Sequence, residues 1–408
     1  MTLWRFAARN IARNRRRTVL TLGVVVFGFA AIALAGGFMA QNLDGLAEST
    51  IRSGMGHLQI ASPGGFEDAG GFEPGRGLED AERIAAILRG DAAVKEILPR
   101  LEFVGLVSDG RRSVPFLGIG VDPIAEARHM DAPQTIASGR WLADRDERAV
   151  VLGGGLAKAL GAKAGDGLTL LATGVDGTLN AVDAAVAGIV HLPIKELDDR
   201  WLATGLTLAD DLLAAGGRVS RIAVVLGGSR GASAAGRRIE ARLREAGLEV
   251  EVRPWEALAP FYRQVRILYL GIFGFMGIVL VVVVLLATAN TMMMAAAERT
   301  REIGTLRAIG TRPSLIRGLF LREGILLAVA GSVLGALLSL LIRTVLNHSG
   351  LTLPPPPGGT QGMPLHVQAY AVAYAAAAVA MLLTLAFASW LPARRASRVP
   401  IVEALTHV

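Results

Sequence analysis

The sequence predicts an α-helical membrane protein with four transmembrane helices, one before and three after a large α+β extracytoplasmic domain, and with both termini cytoplasmic. Three observations predict it. Four apolar runs are each long enough to cross a bilayer, arginines crowd alternate ends of those runs, and residues 41–265 between the first and second form a polar insert of mixed charge.

The chain has 408 residues, of which 52% are hydrophobic and only 5% aromatic, and its mean hydropathy is +0.46. Soluble domains seldom reach that value, so the apolar excess belongs in membrane-length runs. A helix needs about 20 apolar residues to cross the hydrocarbon core. Residues 19–40, 267–289, 319–341 and 367–390 meet that test, and they place the spans at 18–40, 266–291, 318–345 and 367–391. Gly271, Gly274, Gly277, Gly331 and Gly335 permit close helix approach, and Gly331 with Gly335 has the small-xxx-small spacing. By itself that spacing either packs helices or merely tolerates glycine.

Orientation follows from the arginines. Arg5, Arg9, Arg13, Arg15, Arg16 and Arg17 precede the first span. Arg299, Arg301, Arg307, Arg312 and Arg317 lie between the second and third, and Arg394, Arg395 and Arg398 follow the fourth. Residues 347–366 carry no Lys or Arg. The short loops therefore put 1–17, 292–317 and 392–408 inside and 346–366 outside. Residues 1–17 alternate apolar and Arg positions as an interfacial helix does. A cleaved signal peptide is the competing reading, but the first apolar run exceeds a usual h-region and the helix count must stay even. The formal charge of +7 and pI near 10.3 would suit nucleic acid. The basic residues instead flank apolar segments, where they meet anionic lipid, so no nucleic-acid partner is expected. The absence of cysteine excludes disulfides, thiolate metal sites and Cys nucleophiles.

The insert is long enough for its own core and is expected to hold two subdomains. A strand at 57–60 precedes a Gly-rich loop at 62–77 and a helix at 79–88 opened by acidic residues. Strands 104–107 and 114–121 flank the turn dipeptide Asp109-Gly110. Strand 148–152, helix 155–160 and strands 168–172 and 181–190 suggest a compact β-rich module. The pattern returns to α/β with strand 222–226, helix 232–245 and strand 249–253, and a helix from Trp255 is expected to run into the second span. His57 and His191 lack metal-type spacing and read as structural. Gly153, Gly154 and Gly155 are followed by no Lys-Ser or Lys-Thr at phosphate-loop spacing. No catalytic residue, metal site or nucleotide site is assigned to the chain.

Residues 298–310 are the most informative stretch. As a helix they place Ile303 and Leu306, with Ile309 or Gly310, on one stripe among charges, and Gly310 before Pro313 stops it. Such a helix either floats in the headgroups or docks into a groove of a cytoplasmic partner, and physics alone favours neither.

The stretch from Asn290-Thr291-Met292 to Gly310, Leu321-Arg322-Glu323-Gly324 and Gly331-Ser332-Val333-Leu334-Gly335 resemble the FtsX/MacB-type ABC transporter permease family. So do the tail from Pro392-Ala393-Arg394-Arg395 to Glu403-Ala404-Leu405 and the N-terminal run from Arg13-Asn14 to Thr18. Within the insert, Gly56-His57-Leu58-Gln59-Ile60, Leu160-Gly161-Ala162, Leu197-Asp198-Asp199 and Trp255 are similar to the lipoprotein-releasing LolC/LolE branch.

The resemblance implies a multi-pass protein of the bacterial inner membrane. It implies that the chain pairs with a second permease, the same chain or a paralogue, and works with a separate cytoplasmic ABC ATPase that binds ATP and Mg. The chain itself then holds no cofactor and is no enzyme. Glu298, Arg299, Glu302, Ile303, Leu306, Arg307 and Gly310 would form the ATPase-coupling helix. Phe38 and Met39 of the first span and Ile267, Tyr269, Leu270 and Phe273 of the second would line a substrate cavity, the bland alternative being lipid contact or helix packing. The implied activity is mechanotransmission that draws a lipoprotein or another amphiphile from the membrane and passes it to a periplasmic carrier. An FtsX-like activator of a periplasmic hydrolase and a MacB-like tripartite efflux permease are the alternatives. Arg263 and Arg266 are expected at headgroups, Arg343 is expected to snorkel, and 354–357 should form a stiff polyproline segment.

Overall fold

A computed structural model describes residues 3–13, 15–67, 77–144, 147–192, 194–228, 231–353, 363–397 and 400. The polyproline run, most of the Gly-rich loop and the tail around Glu403 lie outside the described residues. The chain forms two compact units, one from 1–44, 265–353 and 364–408, the other from 45–264 with 354–363.

Helix α1 (Leu3–Arg13) is amphipathic: Ala7 and Asn10 are buried, whereas Trp4, Arg5, Phe6 and Arg9 are exposed. Helix α2 (Arg15–Thr50) outruns the predicted first span and ends in a π-helical turn, Ile51–Met55. There Gly54 takes φ of 123°, a conformation open to glycine and costly to other residues.

The insert then reads in order. Strand β1 (Leu58–Ala61), helix α3 (Ala81–Arg89), β2 (Val94–Ser108), β3 (Ser113–Val121), α4 (Pro123–His129) and β4 (Ile136–Gly139) come first. Next come β5 (Ala149–Gly153), α5 (Gly154–Leu160), β6 (Gly167–Thr173), β7 (Leu179–Val190) and α6 (Lys195–Asp198). The insert closes with β8 (Trp201–Gly205), α7 (Leu206–Leu213), β9 (Arg221–Leu226), α8 (Ala232–Glu245), β10 (Glu251–Pro254) and α9 (Trp255–Leu258). The strands pair in the order β10-β1-β9-β2-β3-β8-β5-β7-β4. Because β6 pairs both β2 and β7, strands β2, β3, β8, β5, β7 and β6 close into a ring.

One long strand serves two cores. Residues 94–100 of β2 pair with β9, while 101–108 pair with β3. Inside the ring, Leu101, Phe103, Phe116, Leu152, Leu170 and Leu202 pack with Leu156 of α5 and Leu212 of α7. A second core sets Leu58, Ile60, Ile222 and Val224 against Ile84 and Leu88 of α3 and Ile239 and Leu243 of α8. The β2–β3 hairpin forms at Asp109-Gly110 as expected, with Ser108 opposite Ser113. The parallel pairings β3–β8 and β5–β7 join strands that crossovers separate, so no local signal announces them.

A buried ion pair holds β2 to α4. Arg100 donates through Nε to Glu126 Oε1 at 2.8 Å and through Nη2 to Oε2 at 2.9 Å, and both residues are buried. His57 is buried too, and its Nδ1 accepts from the Leu226 N–H at 3.2 Å. Burial is the largest cause that holds its pKa below the usual 6.5, so the ring is neutral with the proton on Nε2.

The remaining helices are α10 (Pro260–Glu298), α11 (Thr300–Ala308), α12 (Pro313–His348) and α13 (Ala371–Ala396), with the short strands β11 (Thr352–Leu353) and β12 (Met363–Pro364) before α13. The windows Arg15–Met55, Pro260–Glu298, Pro313–His348 and Ala371–Arg395 are long and apolar enough to span a membrane. Three expectations need correction. The helix from Trp255 does not run on, because Ala259 leaves the helical region (φ −110°, ψ 76°). A residue before proline disfavours the α conformation, and Pro260 then opens α10 at its first turn. The fourth span starts at Ala371, not at 367, because the Val367 peptide is bonded elsewhere. Its N–H donates to Asn347 Oδ1 at 2.9 Å, and its carbonyl accepts from Arg343 Nε at 3.0 Å and Asn347 Nδ2 at 3.1 Å. Arg343 is thereby committed to a hydrogen bond and does not simply snorkel.

Packing decides the glycine question. A Cβ on Gly331 would sit 2.5 Å from Val25 Cγ1, and one on Gly335 would sit 2.7 Å from Phe29 Cβ, so α12 lies tight against α2. Gly271, Gly274 and Gly277 have no such neighbour. They lie on α10, whose most apolar window is only 6% buried against 28–33% for the other spans.

Two measurements test this description. Glu126→Gln should lower stability by about 3–5 kcal/mol by leaving Arg100 buried and unpaired, and Arg100→Met with Glu126→Leu should recover much of the loss in thermal unfolding. His57 has a depressed folded-state pKa, so its contribution is complete above 6.5 and is lost as pH falls below that value. Stability measured from pH 7 to 5 should therefore decline, and the decline should flatten in His57→Gln.

Candidate functional site

The arginine-rich end of the helical unit holds the site. Glu298 ends α10, and Arg299 breaks the helix with φ −99° and ψ 10°. Helix α11 stops at a left-handed glycine: Gly310 has φ of 93°. Its N–H donates to the Arg307 carbonyl and that of Thr311 to the Leu306 carbonyl, each at 3.0 Å. This pair of bonds is the Schellman closure, which satisfies two carbonyls that the helix end would leave open.

A buried carboxylate ties the surrounding helices together. Glu323 of α12 is 4% exposed. Its Oε1 accepts from Asn10 Nδ2 of α1 at 2.7 Å and from Arg299 Nη1 at 3.1 Å, and its Oε2 accepts from the same Arg299 nitrogen at 3.4 Å. Nearby, Arg13 Nη2 donates to Glu302 at 2.9 Å and Arg17 Nη2 to Glu298 at 2.5 Å. Beneath α11, Ile303 packs with Ala296, Ile316, Phe320 and Ala393, drawing α10, α11, α12 and α13 into one cluster.

The predicted coupling residues therefore divide by role. Glu298, Arg299 and Glu302 are tied to other helices, and Ile303 faces the interior. Leu306 and Arg307 are half-buried, while Gly310 is exposed. Ile309, 74% exposed, and Leu315 of α12 are the exposed large apolar residues of this stretch, and Arg301 and Arg312 are exposed as well.

The predicted cavity residues divide as well. Phe38 meets Phe273 edge-on at 6.2 Å and Tyr269 meets Phe273 at 5.8 Å, so these rings form one cluster between α2 and α10. Met39 is half-buried, whereas Ile267 and Leu270 are exposed. An apolar groove of about 320 Å³ lies further along, lined by Ile32, Gly274, Gly277, Ile278, Ala376 and Ala380 among others.

The glycine run of the insert has a structural use. At the N-terminus of α5, Asp198 Oδ1 accepts from Gly154 N–H at 3.1 Å and Oδ2 from Gly155 N–H at 2.9 Å. The chain's own carboxylate thus takes the place a phosphate would occupy at such amides. A Cβ on Gly154 would lie 2.4 Å from His191 Nδ1, so the small residue there admits the imidazole. Among the described residues no group of His, Cys, Asp and Glu is placed to hold a metal ion.

Glu323 is the residue whose role sequence reasoning missed. Its signal was present, since an ionisable group on an apolar helix is costly unless it meets a partner. Asn10, Arg13 and Arg17 read as basic flank and as part of the N-terminal family resemblance, and nothing local said that each had a partner roughly 300 residues away.

Residues 274–401 match the FtsX-like permease C-terminal family and residues 18–242 the MacB-like periplasmic core domain. The chain is 31% identical to the ABC transporter permease YtrF of Bacillus subtilis (strain 168) over 137 residues, 32% of this chain and 31% of YtrF. It is 37% identical to the macrolide export ATP-binding/permease protein MacB of Escherichia coli (strain K12) over 131 residues, 32% of this chain and 18% of MacB. The chain thus matches less than a third of the length of either relative. The solved periplasmic region of MacB from Actinobacillus actinomycetemcomitans is 16% identical, covers 52% of this chain and 95% of its own, and superposes with a TM-score of 0.38. The two matched domains together cover both the polar insert and the helices around Glu323, and the chain belongs to the FtsX/MacB-type family of ABC transporter permeases.

Proposed function

We propose that this chain is the membrane subunit of an ABC machine in the bacterial inner membrane. It passes the motion of a separate cytoplasmic ATPase, which binds ATP and Mg, to the domain between its first two spans. One observation carries the reading. Helix α11 is anchored by buried Ile303 and, through Arg299 just before it, by Glu323, and the turn that follows leaves Ile309 exposed, with Leu315 exposed on α12 beyond it. A helix held rigidly in this way and followed by exposed apolar side chains can convey a partner's two-state movement. The arginines at this end support a cytoplasmic placement by the positive-inside rule, with both termini on that side. The exposed face of α10 around Gly271 suits close packing against a second permease, either the same chain or a paralogue.

The cargo we propose is a lipoprotein or a similar amphiphile, taken from the membrane and passed to a periplasmic carrier. The Phe38–Tyr269–Phe273 cluster and the apolar groove between α2, α10 and α13 support it, since both offer apolar surface to an acyl chain. A second reading, MacB-like efflux with periplasmic partners, is favoured by the MacB-like match over residues 18–242.

Purification of the tagged chain in nanodiscs, with mass spectrometry of what accompanies it, tests these readings. An ATPase subunit together with an acylated protein is the expected result. An ATPase with a membrane-fusion protein or a hydrolase and no acylated protein would replace the cargo reading, and no ATPase under gentle conditions would sink the proposal. Ile309→Glu with Leu315→Glu should weaken retention of the ATPase tenfold or more, a cost of about 1.4 kcal/mol or greater, without loss of folded protein.

A further inference from the structure

The N-terminal segment makes more contacts than a surface anchor requires. An interfacial helix needs only an apolar face and basic residues at the headgroups. Helix α1 has these, but it also sends Asn10 into the protein, where the side chain meets buried Glu323 at 2.7 Å. Within the next residues, Arg13 reaches Glu302 of α11 and Arg17 of α2 reaches Glu298 at the end of α10. Each carboxylate around the α10–α11 break thus receives a donor from residues 10–17.

These bonds are unequal. The Arg13 and Glu302 side chains are each 57% exposed, and such surface pairs contribute little. The Glu323 side chain is 5% exposed and that of Arg299 is 11%, so their charges are shielded from water and cannot separate cheaply. Glu323 Oε1 is shared by Asn10 and Arg299, which makes this one oxygen the junction of α1, the α10–α11 break and α12.

We infer that α1 is a working part of the transmission: the Asn10–Glu323–Arg299 junction latches it to α11, so α11 cannot move without carrying α1. This rests on the coupling role proposed above for α11. Asn10 and Glu323 are positioning residues in it, since neither belongs to the outward surface of α11. If α1 were only an anchor, its position relative to α11 would be indifferent to Asn10.

The chain has no cysteine, so labels can be placed without background. Ala12 of α1 and Ala308 of α11 are both exposed. Ala12→Cys with Ala308→Cys, spin-labelled in the full chain in nanodiscs, reports the α1–α11 distance by pulsed electron resonance, with and without the co-purified ATPase and ATP. The expected result is one narrow distance, unchanged by ATP. Asn10→Leu, which leaves the Arg299–Glu323 pair intact, and Glu323→Gln, which keeps the side-chain shape, should each broaden it. A wild-type distance that shifts with ATP, or a distance that stays narrow in both variants, overturns the latch. If no ATPase binds the wild-type chain, the coupling reading fails, while the contrast between wild type and Asn10→Leu in the permease alone still decides whether the latch exists.

Discussion

A carboxylate placed among apolar helices must find a cation or donors, and Glu323 has both. Its two oxygens take Arg299 from the break after α10 and Asn10 from α1, so the helices at the arginine-rich end are held to one point. The arrangement has a directional consequence for α11. With Ile303 packed behind it and Arg299 fixed at its start, the helix keeps the usual order, Ile303 and Gly304 buried and Arg301, Glu302 and Thr305 exposed, and Ile309 stands exposed just past its end.

The spans follow a different logic. Between apolar helices in lipid, association depends on how closely backbones approach. Gly331 and Gly335 bring α12 against Val25 and Phe29 of α2, whereas among the described residues nothing lies within 4 Å of a Cβ built on Gly271, Gly274 or Gly277. The same residue type therefore does different work on two helices. One pair is spent on internal packing, and the other set has no such neighbour.

In the insert, β2 is the element on which both cores depend. Its first half completes a sheet covered by α3 and α8, and its second half enters the closed ring around Phe103 and Phe116. Arg100 lies near the changeover, and its pairing with Glu126 of α4 places a buried ion pair there. Asp198 plays a comparable part by filling the amide N-terminus of α5, which leaves the nearby glycine run with close packing as its role.

The sequence by itself determined the spans, the polar insert, most strands and the helix that ends at Gly310. These depend on local quantities: the length of an apolar run, alternation along a strand, a turn dipeptide, a left-handed glycine. It also marked residues 298–310 as the region of interest, through charge and apolar periodicity. What it left open were pairings between distant residues. The ring closed by β6, the parallel partners of β3 and β5, the break at Ala259 and the start of α13 at Ala371 were decided by tertiary structure. So was the division of residues 298–310 into a buried Ile303 and an exposed Ile309. Periodicity fixes which residues share a stripe. Which part of the stripe is covered depends on neighbours such as Phe320 and Ala393, brought there by other helices, and on Asn10 reaching Glu323 across most of the chain.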